Sequence, residues 1–592
     1  MKAREIFRRP VSVRGSLPRF FVVRWLKWAR GVTLALGAAL AGVAIAGEPA
    51  AELRVAVVQT RRGPTASEES GRIVAWISQA ADRGARVVVF PEGALGGASL
   101  ADGASLDAAI DALRQAAREH KLYVLCGIAG YDAALKGRAN WMIVVGPDGR
   151  DVFRYHKLYD QHDAPMPGVF LIDGVPCSTM ICADRWLRGI EEVPIQQGAQ
   201  ISFELSGNFP TEWVPPFQWY WYVPRALRNN VWVVFANTAG RPGQSELPVA
   251  GHGHSAIVAP DGLIVASRPD AQDGMIVADI DVAKATRAGA IARSAHPALK
   301  AFWTAGVTLQ QGGRVEAPPL NPLPSPKIDI TLAAASIAGD MGALKSAIRA
   351  ARAKNADLVA FPARAVAGEA IEEVRAAARE NHITVVVGAT QRAAGGTFNS
   401  AFVIGPDGSM LTRYDQLSAL PPFQAGTDPA KMWFAVKGVP AIVTLGRDAL
   451  WTELAELAAV AGARIVIHLE HDADVSDQAR QTRLQVWSNH ASFLTFTATV
   501  NVGDAALWDD LRGMEEISAE AKRRQRPDTG AVEVYSPWSA NLVARASSPS
   551  ELIVATRTIP AATNPHHPLQ TTRYNPQMDA WYRIGARVVR PD

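Results

Sequence analysis

The chain has 592 residues, 48% of them apolar, enough to bury several cores and, at roughly 150 residues per domain, to form two to four domains. Its 61 Lys and Arg against 57 Asp and Glu leave a formal charge of +4, but nine of the basic residues and only one acid, Glu5, precede Gly31. The remaining 52 basic and 56 acidic residues carry a small negative balance, so nothing in the charge supports a nucleic-acid partner. Cys126, Cys177 and Cys182 are too few, and odd in number, for a disulfide framework. No CxxC pair or HExxH motif occurs, so no metal or other cofactor is expected.

The basic start runs into VTLALGAALAGVAIA, 15 residues, and then GEP. This order, with small residues at Ala44 and Ala46, reads as an export signal over residues 1–46. The apolar run is shorter than the roughly 20 residues of a spanning helix. The alternative is an uncleaved N-terminal anchor that tethers the protein to a membrane, since Phe20 to Trp28 can lengthen the segment. Either reading puts the rest of the chain outside the cytoplasm, in a periplasm or the extracellular space.

Short apolar runs and helical patterns then alternate: LRVAVVQT as a strand, SGRIVAWISQAADRG as a helix, ARVVVFPE as a strand, LDAAIDALRQAAREH as a helix, KLYVLCGIAG as a strand. GPDG at 146–149 is a turn between two strand-like runs, a hairpin signal. Strands and helices resume through GVPCSTMIC, EEVPIQQGAQ and NNVWVVFANTAG. This unit is written twice. RGARVVVFPEGALGG (83–97) returns as KNADLVAFPARAVAG (354–368), NWMIVVGPDGRDVFRYHKL (140–158) as NSAFVIGPDGSMLTRYDQL (399–417), and DGVPCSTMICADRW (173–186) as KGVPAIVTLGRDAL (437–450). The offsets of 271, 259 and 264 residues are collinear, so two homologous α/β domains are expected, at 50–312 and 327–562. A proline-rich linker at 313–326 joins them, and residues 563–592 form an arm packed on one domain or the other.

Three polar groups fall where strands of the first unit end: Glu92 after VVVFP, Lys157 after VFRYH, Cys182 after STMI. A carboxylate, an ammonium and a thiol brought together can run acyl transfer, the first taking the thiol proton and the second stabilising charge on the attacked carbonyl or nitrile. Taken singly, each has a plainer reading, as a small buried hydrophobe for the cysteine and as solvated surface residues for the other two.

In combination, VVVFPEGALG, YHKLYD and MICADRW resemble, in that order and at those separations, the Glu, Lys and Cys motifs of the nitrilase or carbon-nitrogen hydrolase superfamily. RALRNNVWVVFANTAG and GHGHSAIVAPDG resemble two supporting segments of the same superfamily. The resemblance implies an αββα sandwich in each domain, and a dimer-like arrangement of the two within one chain. It also implies hydrolysis at a non-peptide C–N bond of a small-molecule amide, nitrile or carbamoyl compound. Carried over, Cys182 is the nucleophile, Glu92 the general base, Lys157 the partner of the tetrahedral intermediate and the backbone N–H of Ala183 the second oxyanion donor. The glutamate that many relatives carry in the loop after the lysine is missing from LYDQHDAPMPG, where Asp163 lies nearest its place. Arg228 stands where relatives often have glutamate, a change with no chemical account in the sequence. Trp186, Ser206, Asn208 and Trp213 are candidate pocket residues. The aromatics of NFPTEWVPPFQWYWYVPRA suit either a packed interface or an apolar pocket.

The second unit has Ala363, Gln416 and Gly446 at the positions of the three reactive groups, and keeps Asp448 opposite Asp184. It cannot be a second site of this type. Two further readings compete: N-acyl transfer, a branch of the same superfamily that carries a multi-span membrane domain, and a catalytically inactive extracytoplasmic binding protein.

Overall fold

In the computed structural model, residues 50–61, 66–96, 103–132, 137–158, 165–186, 188–207, 222–240, 253–471, 495–502, 504–509, 541–546, 548, 550–561 and 576–590 are described. The expected export signal or anchor lies outside them. Among them no helix is long and apolar enough to cross a membrane.

The alternating run after Ala50 forms β1 (Glu52–Gln59). Val55 and Val57 face one side, Ala56 and Val58 the other, as the two-residue period of a strand requires. The chain continues through α1 (Ala66–Asp82), β2 (Val87–Val89), α2 (Gly103–His120), β3 (Tyr123–Asp132), β4 (Gly137–Val145) and β5 (Asp151–His156). With β12 (Gly274–Asp281) these strands make one sheet in the order β12-β1-β2-β3-β4-β5. The GPDG turn joins β4 to β5 as expected, with Gly149 at φ +78°. A second sheet, β11-β10-β9-β8-β7-β6, is built from β6 (Phe170–Ile172), β7 (Val175–Ile181), β8 (Ile201–Ser206), β9 (Trp232–Asn237), β10 (Ala256–Val258) and β11 (Ile264–Ser267).

Val57, Val89 and Leu125 of the first sheet share an apolar core with Ile181, Phe203 and Val234 of the second. The outer face of the first sheet is covered by Ile73 and Ile77 of α1 and Leu106, Ile110 and Leu113 of α2. α3 (Arg188–Gln196) and α4 (Val223–Asn229) lie on the second sheet, α4 through Val223 and Ala226 against Val233 and Phe235. The result is the expected αββα sandwich. α5 (Ala288–Ala295) and α6 (Lys300–Gln310) follow it.

After residues 313–327, which have no regular structure, the second half repeats the first. β13 (Ile328–Ala335), α7 (Met341–Ala353), β14 (Leu358–Ala360), β15 (Val366–Ala367), α8 (Ile371–Asn381), β16 (Thr384–Ala393), β17 (Gly396–Ile404) and β18 (Met410–Asp415) lead to β19 (Trp433–Val436) and β20 (Val439–Leu445). Then come α9 (Thr452–Ala461), β21 (Ile465–Leu469), β22 (Phe496–Asn501), β23 (Asp504–Asp509), β24 (Asn541–Arg545) and β25 (Leu552–Ile559). The sheet orders, β18-β17-β16-β14-β13-β25 and β19-β20-β21-β22-β23-β24, match those of the first half strand for strand. The register matches too: Ile181 pairs with Leu205, and Leu445 with Leu469, both 264 residues on.

α10 (Pro576–Val589) packs against both α6 and α9, so this part of the arm joins the two halves rather than favouring one. Trp581 stacks on Phe302 of the first half and donates its indole N–H to the Phe302 carbonyl at 2.6 Å. A Cβ on Gly189 or Gly306 would lie 2.0 or 2.5 Å from the Trp581 ring, and one on Gly585 within 2.6 Å of Leu457 in the second half. All three approaches therefore need glycine.

Candidate active site

Pro91 and Glu92 leave the end of β2 and pass directly over β3. A Cβ at Gly127 would lie 2.4 Å from the Pro91 carbonyl oxygen and 2.7 Å from the Glu92 Cα, so the glycine lets the loop lie flat on the strand. Glu92 is buried there, and its Oε1 accepts from Lys157 Nζ at 2.7 Å and from Asn140 Nδ2 at 2.5 Å. Lys157 follows the last residue of β5, and its backbone N–H donates to the Asn140 carbonyl at 2.8 Å, which fixes where the ammonium emerges. With side-chain exposures of 6% and 9%, the carboxyl and the amine are each other's partners in a site that holds little water.

Cys182 follows the last residue of β7 at φ +47°, a left-handed conformation that is costly for a side chain other than glycine. The 3₁₀ turn Cys182–Trp186 is braced around it. Asp184 accepts from the Ile181 N–H at 3.1 Å and from the Tyr155 hydroxyl at 2.9 Å, and Arg185 donates to the Cys182 carbonyl at 2.7 Å and to Ser206 Oγ at 2.8 Å. Asp184 thus serves the turn as a hydrogen-bond acceptor. Burial, and after it the charge of Glu92, push the thiol above its ordinary range. Arg185, Lys157 and a hydrogen bond with Ser206 pull it down without outweighing them. At neutral pH the resting group is the thiol, with a carboxylate beside it to take the proton. Cys126 and Cys177 are completely buried thiols, pushed far up by desolvation.

The structure thus brings Glu92, Lys157 and Cys182 into mutual electrostatic reach, with Ala183 next in the turn and Ser206 at the end of the adjacent strand. Asp163, Asn208 and Trp213 lie outside the described residues, as does the side chain of Trp186. Of the aromatics in that loop only Tyr222 is described: it is fully buried and stacked on Phe235 at 3.8 Å, a packing role. The two supporting segments meet through Asn237 and Ser255, whose hydroxyl accepts from the Asn237 N–H at 3.0 Å, while Gln59 accepts from the Ser255 N–H at 3.0 Å.

Sequence reasoning missed Asn140 and, behind the thiol, a buried run of alternating charges. Arg185 lies 2.6 Å from Glu204, and Glu204 also accepts from Arg225. Arg225 continues to Glu191 at 2.8 Å. Arg228 reaches Glu192 at 2.5 Å and Glu191 at 3.8 Å, which explains the arginine in RALRNN: it faces a pair of adjacent buried glutamates. Glu192 also accepts from Arg293 at 2.6 Å, and Arg293 from α5 crosses to Glu453 in the second half at 3.1 Å. The two arginines outweigh burial and hold the Glu192 carboxyl down at about 2. Consecutive EE and scattered arginines read locally as solvated helix faces, so only the fold reveals them as one buried set.

The second half keeps the scaffold and not the reactive groups. Ala363, Gln416 and Gly446 occupy the three places. Gly388 lies under Ala363 as Gly127 lies under Glu92, and a Cβ there would meet the Ala363 Cα at 2.2 Å. Asn399 donates to Gln416 Oε1 at 2.8 Å where Asn140 donates to Glu92, and Tyr414 donates to Asp448 at 2.7 Å as Tyr155 does to Asp184. Gly446 has φ +46°, so the left-handed turn survives without its thiol and without its strain.

The family model for carbon-nitrogen hydrolases matches residues 54–290 and 326–503, most of both halves. The chain belongs to the carbon-nitrogen hydrolase family. This carbon-nitrogen hydrolase is a tandem duplication and acts on C–N bonds other than peptide bonds. It is 26% identical over 253 residues to the omega-amidase of Xenopus tropicalis, covering 39% of this chain and 90% of the relative. The human omega-amidase gives 26% over 254 residues, 39% and 89%. Among solved structures, an amidase from Nesterenkonia sp. matches at 20% identity over 40% of this chain and 94% of its own, with a TM-score of 0.33. A double mutant of that amidase in complex with acrylamide matches at 19%, 39% and 91%, with a TM-score of 0.34. Two-fifths of this carbon-nitrogen hydrolase, the share of one half, spans nearly the whole of each omega-amidase.

Proposed function

We propose that the first half hydrolyses a small-molecule amide through a thioester on Cys182. The observation that carries this reading is the buried Glu92–Lys157 pair beside a thiol held in a left-handed turn. As Cys182 Sγ bonds to the amide carbon, its proton passes to Glu92, and the oxyanion is stabilised by Lys157 Nζ and the Ala183 N–H. Collapse breaks the C–N bond, the proton on Glu92 leaves with the nitrogen as ammonia or amine, and a thioester remains. Water then loses a proton to Glu92 while attacking the thioester carbon, and the second collapse releases the acid and returns the proton to sulfur. Asn140 and Lys157 hold the carboxylate that serves both halves of this cycle.

Amides are favoured over nitriles and carbamoyl compounds because the two curated relatives are omega-amidases. Asp163 takes the place of the missing loop glutamate. The mature protein works outside the cytoplasm after export through residues 1–46, and the second half stands in for the partner subunit of a dimer, an arrangement supported by α10 and by the Arg293–Glu453 pair. The test is ammonia release from a panel of primary amides, nitriles and carbamoyl compounds by the full chain and by Cys182→Ala. Release from amides that disappears in the variant supports the reading; release that persists in the variant, or release from nitriles alone, contradicts it.

A further inference from the structure

We propose that Glu453, a residue of the half that lacks the reactive groups, is a positioning residue for Cys182. It closes the buried charge chain whose opposite end, Arg185, holds the Cys182 carbonyl and touches Ser206. The inference rests on the reading of Cys182 as nucleophile and extends it across the two halves.

The argument begins with charge balance. Among the described residues of the first half the chain comprises Arg185, Arg225, Arg228 and Arg293 with Glu191, Glu192 and Glu204, four cations linked through three carboxylates. No side chain among them is more than 4% exposed, so solvent screens these charges little and their positions depend on one another. Glu453 supplies a fourth carboxyl from the first turn of α9; burial, and with it Glu192, pushes its pKa up, while the Arg293 guanidinium and the positive end of the helix pull it down. Each internal carboxylate is shared by two arginines, so the members cannot move independently. Without Glu453, Arg293 draws Glu192 toward itself and Arg228 turns to Glu191. Arg225 then competes harder for Glu204, and Arg185 loses the carboxylate that aims it. Arg185 both braces the left-handed turn and lowers the thiol's affinity for its proton, so the shift ends at the reacting atom.

The test uses the full chain and follows Cys182 alkylation by iodoacetamide against pH, with kcat and KM for amide hydrolysis and a thermal unfolding curve for each variant. Glu453→Gln leaves four buried cations against three carboxylates. It is expected to change the alkylation rate at neutral pH by roughly three- to tenfold, displace the midpoint of the profile and lower kcat by a similar factor at unchanged KM. The double variant Arg293→Met with Glu453→Leu leaves three of each sign, and is expected to bring the profile back toward that of the parent. A purely structural role predicts the opposite, since the double variant removes more packing than the single one. If Glu453→Gln does not fold, the double variant decides: a parental profile supports the proposal and a displaced one overturns it. A folded Glu453→Gln with parental profile and kcat also overturns it. Activity that survives Cys182→Ala defeats the reading of the nucleophile instead, so the two failures are separable.

Discussion

At the scale of single residues, the site depends on places where a side chain is absent. Gly127→Ala forces a Cβ to 2.4 Å from the Pro91 carbonyl and pushes the Glu92 loop off β3. A displacement near 1 Å at a reacting group costs on the order of 100-fold, so kcat/KM for amide hydrolysis is expected to fall by about that factor. Gly388→Ala makes the same collision under Ala363 and is expected to lower the melting temperature with far less effect on kcat/KM. The left-handed turn makes a second contrast. Cys182→Gly and Cys182→Ala are both expected to be inactive, but the glycine variant should be more stable by about 1 kcal/mol in denaturant unfolding, because it alone accepts φ +47° without strain. His254 gives a pH signature: burial holds its pKa down at about 4, against the pull of Asp270. A group whose folded pKa is depressed stabilises the fold above its unfolded value, near 6.5, and loses that contribution as pH falls through about 4. Unfolding free energy should therefore decline from pH 6.5 to 4, and the decline should be shallower in His254→Asn.

At the scale of elements, strand ends were the most legible part of the sequence. VVVFPE, VFRYHK and STMIC each combine an apolar run with a polar residue where the run stops, and each of these residues lies just past a strand. The helices that carry the buried charges were not legible in the same way. Glu191 and Glu192 of α3, Arg225 and Arg228 of α4 and Arg293 of α5 meet only after the second sheet has formed. Nothing in their local spacing distinguishes them from surface residues. Their energetic weight differs accordingly. Glu192→Gln leaves two buried guanidiniums short of a carboxylate and is expected to destabilise by about 3–5 kcal/mol in chemical denaturation. Asp279→Asn, which breaks the half-exposed pair with Arg54, should cost less than about 1 kcal/mol.

At the scale of the whole molecule, the duplication was legible from three repeated segments, and the register shows how closely it was kept. The interface between the halves was not legible. It is made by α10, by Arg293 with Glu453 and by the edge-on contact of His296 with Trp451, pairs separated by more than a hundred residues. Trp581 fills the space over Gly189 and Gly306 and stacks on Phe302 while α10 also packs on α9, so Trp581→Ala is expected to cost about 3–5 kcal/mol of unfolding free energy. The second half has kept its left-handed turn, its tyrosine–aspartate brace and its glycine under the first loop while carrying Ala363, Gln416 and Gly446 at the three positions. One chain should then carry one reacting group. The direct measurement is the intact mass of the full chain, quenched in acid during turnover of a primary amide, followed by peptide mapping. The account predicts a single acyl increment per chain, on the peptide containing Cys182, and none in Cys182→Ala. Acylation of a different residue, or acyl incorporation that persists in the variant, would contradict it.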